Sequence, residues 1–594
     1  MTTRISRAIR QKSIQPQPRV EAEEVRAHLE KILANRLFSR SDRLNRFLRF
    51  AVEQSLGGNG DQLKEQLIGI EVFDRKPDYD PRIDPIVRVE ARRLRSKLKA
   101  YYTSSGRGDN VLIGLPKGSY VPFFRVRKMA TPAIRSQMRE RSMVVLPFTN
   151  LTPDAGDDYF SDGLTEELIH LLTRIPQLRV VAWDSASQLR GREQDIATIR
   201  EKLDVGAVLR GSVRRTLGRV RVNSQLIDAE SGAYLWSQAY DSEMQDVFTI
   251  QEEMARAIVD TLRLTLKSGE GRKAPNLDCY NLCLQGRFHA NKRTHDGLRK
   301  SIICYQQATA ADGSSAAAYA GLADAYSLMA EYGLLDPAEA MGKARAAAEK
   351  ALALDPQSPE ATVSLAFIQS LFDWDWAGAE KLYRRAIALN PGYSRARHWF
   401  SLDHLALLGR FDEAIAEIHV ACHLDPLSQI LQEGYGYVHM LRRDYATALE
   451  KFRQVVELDP LFYKGHSGLG RVLSLMGRYD EAIEALERAR ALTGSVPRII
   501  AALGQTLALA GRKQEAQNYL DRLHAMEKTE YVPRVSMAIL YMGLGDHSCA
   551  LDYFDEACDR REMGLGSLKV HPLYDPLRSE PRFDQLLRRI HLLP

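Results

Sequence analysis

Cysteine is scarce: there are six in 594 residues, and no two stand in a Cys-x-x-Cys spacing. All six (Cys279, Cys283, Cys304, Cys422, Cys549 and Cys558) fall after residue 275, with Cys279 and Cys283 one helical turn apart. That pattern argues against a disulfide framework or a metal site and for small buried apolar side chains in a reducing cytoplasm. Long apolar runs are missing too: nothing approaches the ~18–20 consecutive apolar residues of a membrane span. The basic start, MTTRISRAIRQKSIQPQPR, lacks a secretory apolar core, so export is not expected. The motifs G-x-x-x-x-G-K-[ST], G-x-G-x-x-G, H-E-x-x-H and G-x-S-x-G are all absent. No catalytic residue, metal ligand or cofactor is therefore expected, and nothing reads as a nucleotide cyclase.

What is present is unevenly charged. Residues 1–130 hold 27 Lys+Arg against 15 Asp+Glu, a net of +12, whereas the whole chain is +6, leaving −6 for residues 131–594. A basic front on a mildly acidic remainder points to a polyanionic partner at that end.

The second half is periodic. Leu354-Asp355-Pro356, Leu389-Asn390-Pro391, Leu424-Asp425-Pro426 and Leu458-Asp459-Pro460 repeat at proline steps of 35, 35 and 34 residues. Twelve positions before each proline stands a small residue (Ala344, Ala379, Ala414, Ala448), where two helices must approach closely. Four residues later a bulkier side chain follows in three units, Tyr383, Ile418 and Phe452, while the first has Ala348. The proline ends the second helix of each pair. A helical solenoid of the 34-residue tetratricopeptide type fits this spacing best. Weaker signals extend it to about eight units over residues 276–560, with a C-terminal cap at 561–594 and insertions at 331–342 and 372–378. Phase counting turns Trp399, Asp403, Glu433, Tyr437, Lys464, Arg471, Arg498 and Gln505 towards a concave groove suited to a peptide or protein partner.

After a basic tail (1–19), residues 20–128 read as helices followed by a hairpin. Leu44, Phe47, Leu48, Ala51 and Val52 share one face of a helix over 43–56. In a helix over 85–102, with Asp84 as N-cap and Pro85 in its first turn, Val87, Ala91, Leu94, Leu98 and Tyr101 form an apolar stripe. Arg88, Arg92, Arg95 and Lys99 repeat on a neighbouring face, with Arg93 and Lys97 beside them. VLIGLPKGSYVPFFRV then reads as a hairpin with Lys117 at its tip. RRLRSKL and GLPKGSYVPF resemble the winged-helix output domain of the response-regulator type, although no strand block precedes the first helix and a serine is inserted in the wing. The resemblance implies a winged helix-turn-helix that contacts duplex DNA through Arg88, Arg92, Arg93, Arg95, Lys97, Lys99 and Lys117.

Residues 129–141 read as a linker. From 142 to 268, strand-like and helical runs alternate as in an α/β domain with a mixed sheet. VVLPFTN, YFSDGLTEEL, VLRGSVRR and LWSQAYD together resemble the amino-terminal domain of TolB-like proteins, which bacterial chains pair with tetratricopeptide repeats. Asp157, Asp158, Asp162, Glu166 and Glu167 gather near one strand end, where paired carboxylates could bind a metal or act as acid and base; Asp162 also suits a helix start. The expected whole is a winged helix, a TolB-like α/β domain and a tetratricopeptide solenoid in a cytoplasmic, non-enzymatic regulator that binds DNA and protein. The alternative is a scaffold binding proteins only.

Overall fold

The computed structural model describes residues 22–593, apart from 39–40, 82, 104, 107–108, 110, 117–118, 127–140, 153–157, 176, 192–194, 217, 263–275 and 495. The basic tail and nearly all of the linker lie outside the described residues. The chain divides into two compact units, residues 1–136 and 137–594.

In the first unit, α1 (Ala22–Leu33), α2 (Asp42–Leu56), α3 (Glu65–Phe73) and α4 (Ile86–Thr103) precede the strands β1 (Val111–Gly114) and β2 (Phe123–Val126). The apolar stripes expected on α2 and α4 are buried together with Val25, Leu29 and Ile32 of α1. The Asp84 carboxylate accepts the Ile86 amide at 3.1 Å, opening α4. The strands are antiparallel, pairing Gly114 with Phe123. A Cβ at Gly114 would lie 2.3 Å from the Phe123 ring, which is why this position has no side chain. Buried Asp109 ties the elements together, accepting from Tyr101 Oη at 2.6 Å and Lys31 Nζ at 2.5 Å. Burial alone would raise its carboxyl; these donors hold it below the usual range.

The second unit begins with a mixed sheet in the order β5-β3-β6-β7-β8. Its strands are β3 (Ser142–Val145), β4 (Thr149–Asn150), β5 (Arg179–Val180), β6 (Ala207–Thr216), β7 (Arg219–Asp228) and β8 (Tyr234–Glu243). β3 runs parallel to β5 and β6, and β4 parallel to β6; β7 and β8 follow antiparallel. All four residues of β3 are buried, as a parallel central strand covered on both faces should be. The helices are α5 (Asp158–Thr173), α6 (Trp183–Ser187), α7 (Ile196–Leu203) and α8 (Val247–Thr261). The LRVVAW run yields only a two-residue strand, because the Ala182 amide leaves the sheet to bond Leu424 O at 3.1 Å.

Eight helix–turn–helix pairs follow among the described residues: α9 (Leu277–Asn291) with α10 (His295–Ala311), α11 (Ala316–Glu331) with α12 (Pro337–Leu354), α13 (Pro359–Ile368) with α14 (Trp376–Leu389), and α15 (Ser394–Phe400) with α16 (Phe411–Leu424). Then come α17 (Gln429–Leu441) with α18 (Tyr445–Leu458), α19 (Tyr463–Leu475) with α20 (Tyr479–Thr493), α21 (Pro497–Leu509) with α22 (Lys513–Met526), and α23 (Arg534–Leu544) with α24 (His547–Asp559). Helix α25 (Pro581–Arg589) closes the chain. The close-approach alanines and the fillers Tyr383, Ile418 and Phe452 are all fully buried. Each Leu-x-Pro phrase ends its helix at the leucine, two residues ahead of the proline, because the residue before proline is driven out of the helical region. Helices α13 and α15 each run on into a π turn, Gln369–Asp373 and Ser401–Leu405. Ser370 Oγ joins the two turns, donating to Asp403 O at 2.8 Å.

The array closes on itself, which the repeat period gives no hint of. Trp376 Nε1 donates to Ile590 O at 3.0 Å, Arg561 to Phe372 O at 3.0 Å, and Arg443 pairs with Asp575 at 2.7 Å. A single apolar core runs from Leu298 through Trp376 and Leu441 to Phe583 and Leu592. Both insertions lie at these closures. Residues 372–378 meet the C-terminal segment, and Glu331 at the head of the other insertion receives Lys464 at 3.4 Å and, on its carbonyl, Arg498 at 2.9 Å.

Candidate functional site

On α4 the basic side chains have separate employments. Arg95 gathers the loop after β1: Nε donates to Leu115 O and Pro116 O, both at 3.1 Å, and Nη2 to Ser119 O at 3.0 Å. Lys97 reaches inward to Leu37 O at 2.6 Å and to the Ser41 hydroxyl. Arg88 pairs with Glu65 at 2.9 Å, and Tyr120 donates to the same carboxylate at 2.7 Å. Arg93 is 67% exposed and makes an i,i+3 pair with Glu90. Arg92 is exposed, and its guanidinium has no partner among the described residues. The Lys99 side chain and Lys117 lie outside the described residues. That Arg95 and Lys97 are held within the unit is not legible in the sequence, because their acceptors, backbone carbonyls and the Ser41 hydroxyl, lie 20–60 positions away.

Of the eight residues assigned to a groove, Asp403, Glu433, Tyr437, Lys464, Arg471 and Arg498 act on one another. Trp399 is buried against Phe367, ring centroids 4.5 Å apart. Lys464 lies 4.3 Å over the Tyr332 ring beside Glu331, and Arg471 lies 5.8 Å from the Tyr437 ring centre. Burial and the charge of Glu331 push the carboxyls of Asp403 and Glu433 upward, with Lys464 opposing both shifts. Gln505 is buried with Gly543 against it. Lys464 and Arg498 engage residues 331–332 of the insertion and Arg471 the Tyr437 ring, whereas Trp399 and Gln505 pack against other residues of the array.

The acid cluster of the α/β layer divides. Asp157 lies outside the described residues. Asp162 does not open a helix, because α5 starts at Asp158; it sits buried inside α5 and pairs with Arg190. Asp158 accepts from Asn150 at 2.9 Å. Glu167 meets Arg287 of the array at 2.7 Å, with Glu166 4.0 Å from the same guanidinium.

Sequence reasoning missed the surface on which the α/β layer sits. Thr173 meets Asn390 at 3.4 Å, His170 meets Glu360 at 3.4 Å, and Arg179 donates to His423 O at 3.0 Å. Ser185 engages Asp425: its amide donates to the carboxylate at 2.8 Å, its hydroxyl donates there too, and that hydroxyl accepts the Leu427 amide at 2.7 Å. The Leu-x-Pro turns at 390 and 425 thus serve as a docking ledge, besides ending helices. Beside it, between α5–α6 and the leading ends of α11, α13 and α15, lies a cavity of about 990 Å³.

Burial and the neighbouring Asp184 push the Asp425 carboxyl from its ordinary 3.8 to about 8. The folded state therefore favours the protonated acid. Its contribution is whole below about pH 4 and is lost as pH rises towards 8. Asp425→Asn keeps an acceptor for Ser185 without the charge, so its melting temperature should gain on the wild type's as pH rises through that window. Parallel melting curves against pH would contradict this. Asp425→Ala, which strands the Ser185 donors, should cost about 1–3 kcal/mol.

Two sequence profiles of the tetratricopeptide repeat match residues 402–461 and 439–506. The chain is 38% identical over 151 residues to "Putative adenylate cyclase 3" of Rhizobium meliloti (strain 1021), covering 25% of this chain and 26% of that one. Over a stretch of the same length it is 28% identical to the transcriptional regulator HilA of Salmonella typhimurium, covering 25% and 27%. The chain thus matches about a quarter of the length of these curated relatives. Among solved structures, Pseudomonas aeruginosa PilF is 21% identical with a TM-score of 0.29, covering 38% of this chain and 96% of its own. A monomeric mutant of IFIT1 with Gppp-AAAA is 15% identical with a TM-score of 0.38, covering 59% and 77%. No helix among the described residues is long and apolar enough to cross a membrane. The two tetratricopeptide matches together run from the fourth helix pair into the seventh.

Proposed function

We propose that this chain is a cytoplasmic DNA-binding transcription regulator without enzymatic activity. In this reading residues 20–128 are a winged helix, 142–268 a TolB-like domain, and 276–560 a tetratricopeptide array that binds protein partners. The observation that carries it is the outer face of α4. There Arg92 stands exposed with no partner among the described residues and Arg93 is mostly exposed, while Arg95 binds the loop between the strands to the flank of the same helix. A helix inserted in a major groove uses such arginines bidentately on guanine edges, and a neighbouring loop meets phosphate. The +12 charge of residues 1–130 supplies the salt-dependent attraction to the backbone. The name of the Salmonella relative favours a regulator. The match to the relative named as a cyclase covers only about a quarter of that protein's length.

The test is recovery of genomic DNA. The intact chain, incubated with sheared genomic fragments at moderate salt, should enrich a small set repeatedly. Uniform recovery, or none, would leave a scaffold that binds proteins only.

A further inference from the structure

The cavity beside the docking ledge holds polar groups that the fold leaves underused. Arg293, between α9 and α10, lines it. Its guanidinium makes no hydrogen bond or ion pair with the described residues. Two acids that act on it electrostatically, Asp184 and Asp324, are otherwise engaged. Asp324 is bridged to Arg395, and Asp184 accepts the Ser428 hydroxyl at 3.1 Å. His398, on the same wall, is 8% exposed, and its Nε2 has no partner. On α5, Glu166 has among the described residues only a distant Arg287 at 4.0 Å and an Asn291 amide at 3.4 Å, since Glu167 takes the close contact with that arginine. Glu166, on α5, and Arg293, just past the end of α9, both line the same cavity.

The balance of charge selects the ligand. Eight acidic side chains and four guanidiniums line the cavity, and the acids stay in excess even with Asp425 protonated and the Glu166 carboxyl pushed by burial up to about 7. A polyanion would meet a wall of its own sign, and a simple cation would leave Arg293 unanswered. A compact molecule carrying both charges satisfies both ends. The volume of about 990 Å³ is at the upper end of small-ligand sites, which run to about 1,000 Å³.

We propose that this cavity binds a small zwitterion, an α-amino acid or a short peptide with free termini, its carboxylate on Arg293 and its ammonium on Glu166. The ligand would bridge the α/β layer and the repeat array and so fix how the two are docked. This deepens the regulator reading by naming what its second unit senses. Binding is measured without DNA, so either idea can fail alone.

Titration calorimetry on the intact chain tests it with the free amino acids and with tripeptides Ala-X-Ala, X varied through all residue types. At least one compound should bind, and whichever arm it falls in identifies the source. Amidating its carboxylate, or Arg293→Gln, should each weaken it about tenfold or more. The two together should cost no more than either, because they remove one contact. Acetylating the amine and Glu166→Gln should behave alike as a second pair. Arg293→Gln breaks no intramolecular bond and should melt with the wild type; if it does not, the amidated and acetylated ligands on the wild-type chain carry the test. Absence of binding throughout the panel, indifference to amidation and acetylation, or equal binding of pyrophosphate would each overturn the proposal.

Discussion

Removing residues 571–594 should abolish the cooperative melt of the second unit and drive the chain into aggregates. Tyr574, Leu577, Phe583, Leu586, Leu587, Ile590 and Leu592 are each at most 4% exposed. At about 1.5–3 kcal/mol for each buried side chain, their loss is comparable to or larger than the ~5–15 kcal/mol that ordinarily holds a domain folded. The cut also takes Ile590 O from Trp376 and Asp575 from Arg443, so it opens the third and fifth helix pairs as well as the last. A polar terminal cap explains part of the effect; the closure explains why it reaches so far upstream. Phe583→Ala is the milder version, expected to cost about 3–5 kcal/mol. Circular dichroism melts and size-exclusion profiles report both. A truncated chain that stays monodisperse and melts where the intact chain does would contradict the closure.

Arg92→Ala and Arg95→Ala should weaken DNA binding in distinguishable ways. Arg92 is free to reach a base edge, so its loss should cost about 1–3 kcal/mol on a preferred duplex and much less on a scrambled one. Arg95 spends its guanidinium on three carbonyls of the loop. Its removal should lower the stability of the first unit by about 1.5–3 kcal/mol, the scale of a charged hydrogen bond, and weaken both duplexes alike. Lys117→Ala should weaken both duplexes equally and flatten the salt slope by about one. Equal losses for Arg92→Ala on the two duplexes would mean that α4 only holds backbone.

The sequence made the local features readable and hid the distant ones. The Leu-x-Pro spacing, the alanines twelve residues ahead and the stripes of α2 and α4 are written within one or two helical turns, so periodicity exposes them. The mixed sheet was likewise legible from alternating runs bounded by glycine. The contacts of Trp376 with Ile590 and of Ser185 with Asp425 span 214 and 240 positions. No local pattern marks them, and residues 331–342 and 372–378 showed only as interruptions of the period. The cavity was invisible for the same reason: its walls come from α5, α6 and the leading ends of several repeats. Asp162 was misread because the helix begins four residues earlier than its acidic, glycine-containing context suggests.

The central claim, that the first unit reads DNA, is tested most directly by titrating the intact chain against a duplex recovered from the genome while salt is raised. The logarithm of the binding constant should fall linearly with the logarithm of salt concentration, losing about 10³-fold or more between ~50 and ~200 mM. A scrambled duplex of equal length should bind at least about a thousandfold more weakly. Binding that is absent at low salt, or indifferent to salt, would contradict the account and leave a protein that binds only other proteins.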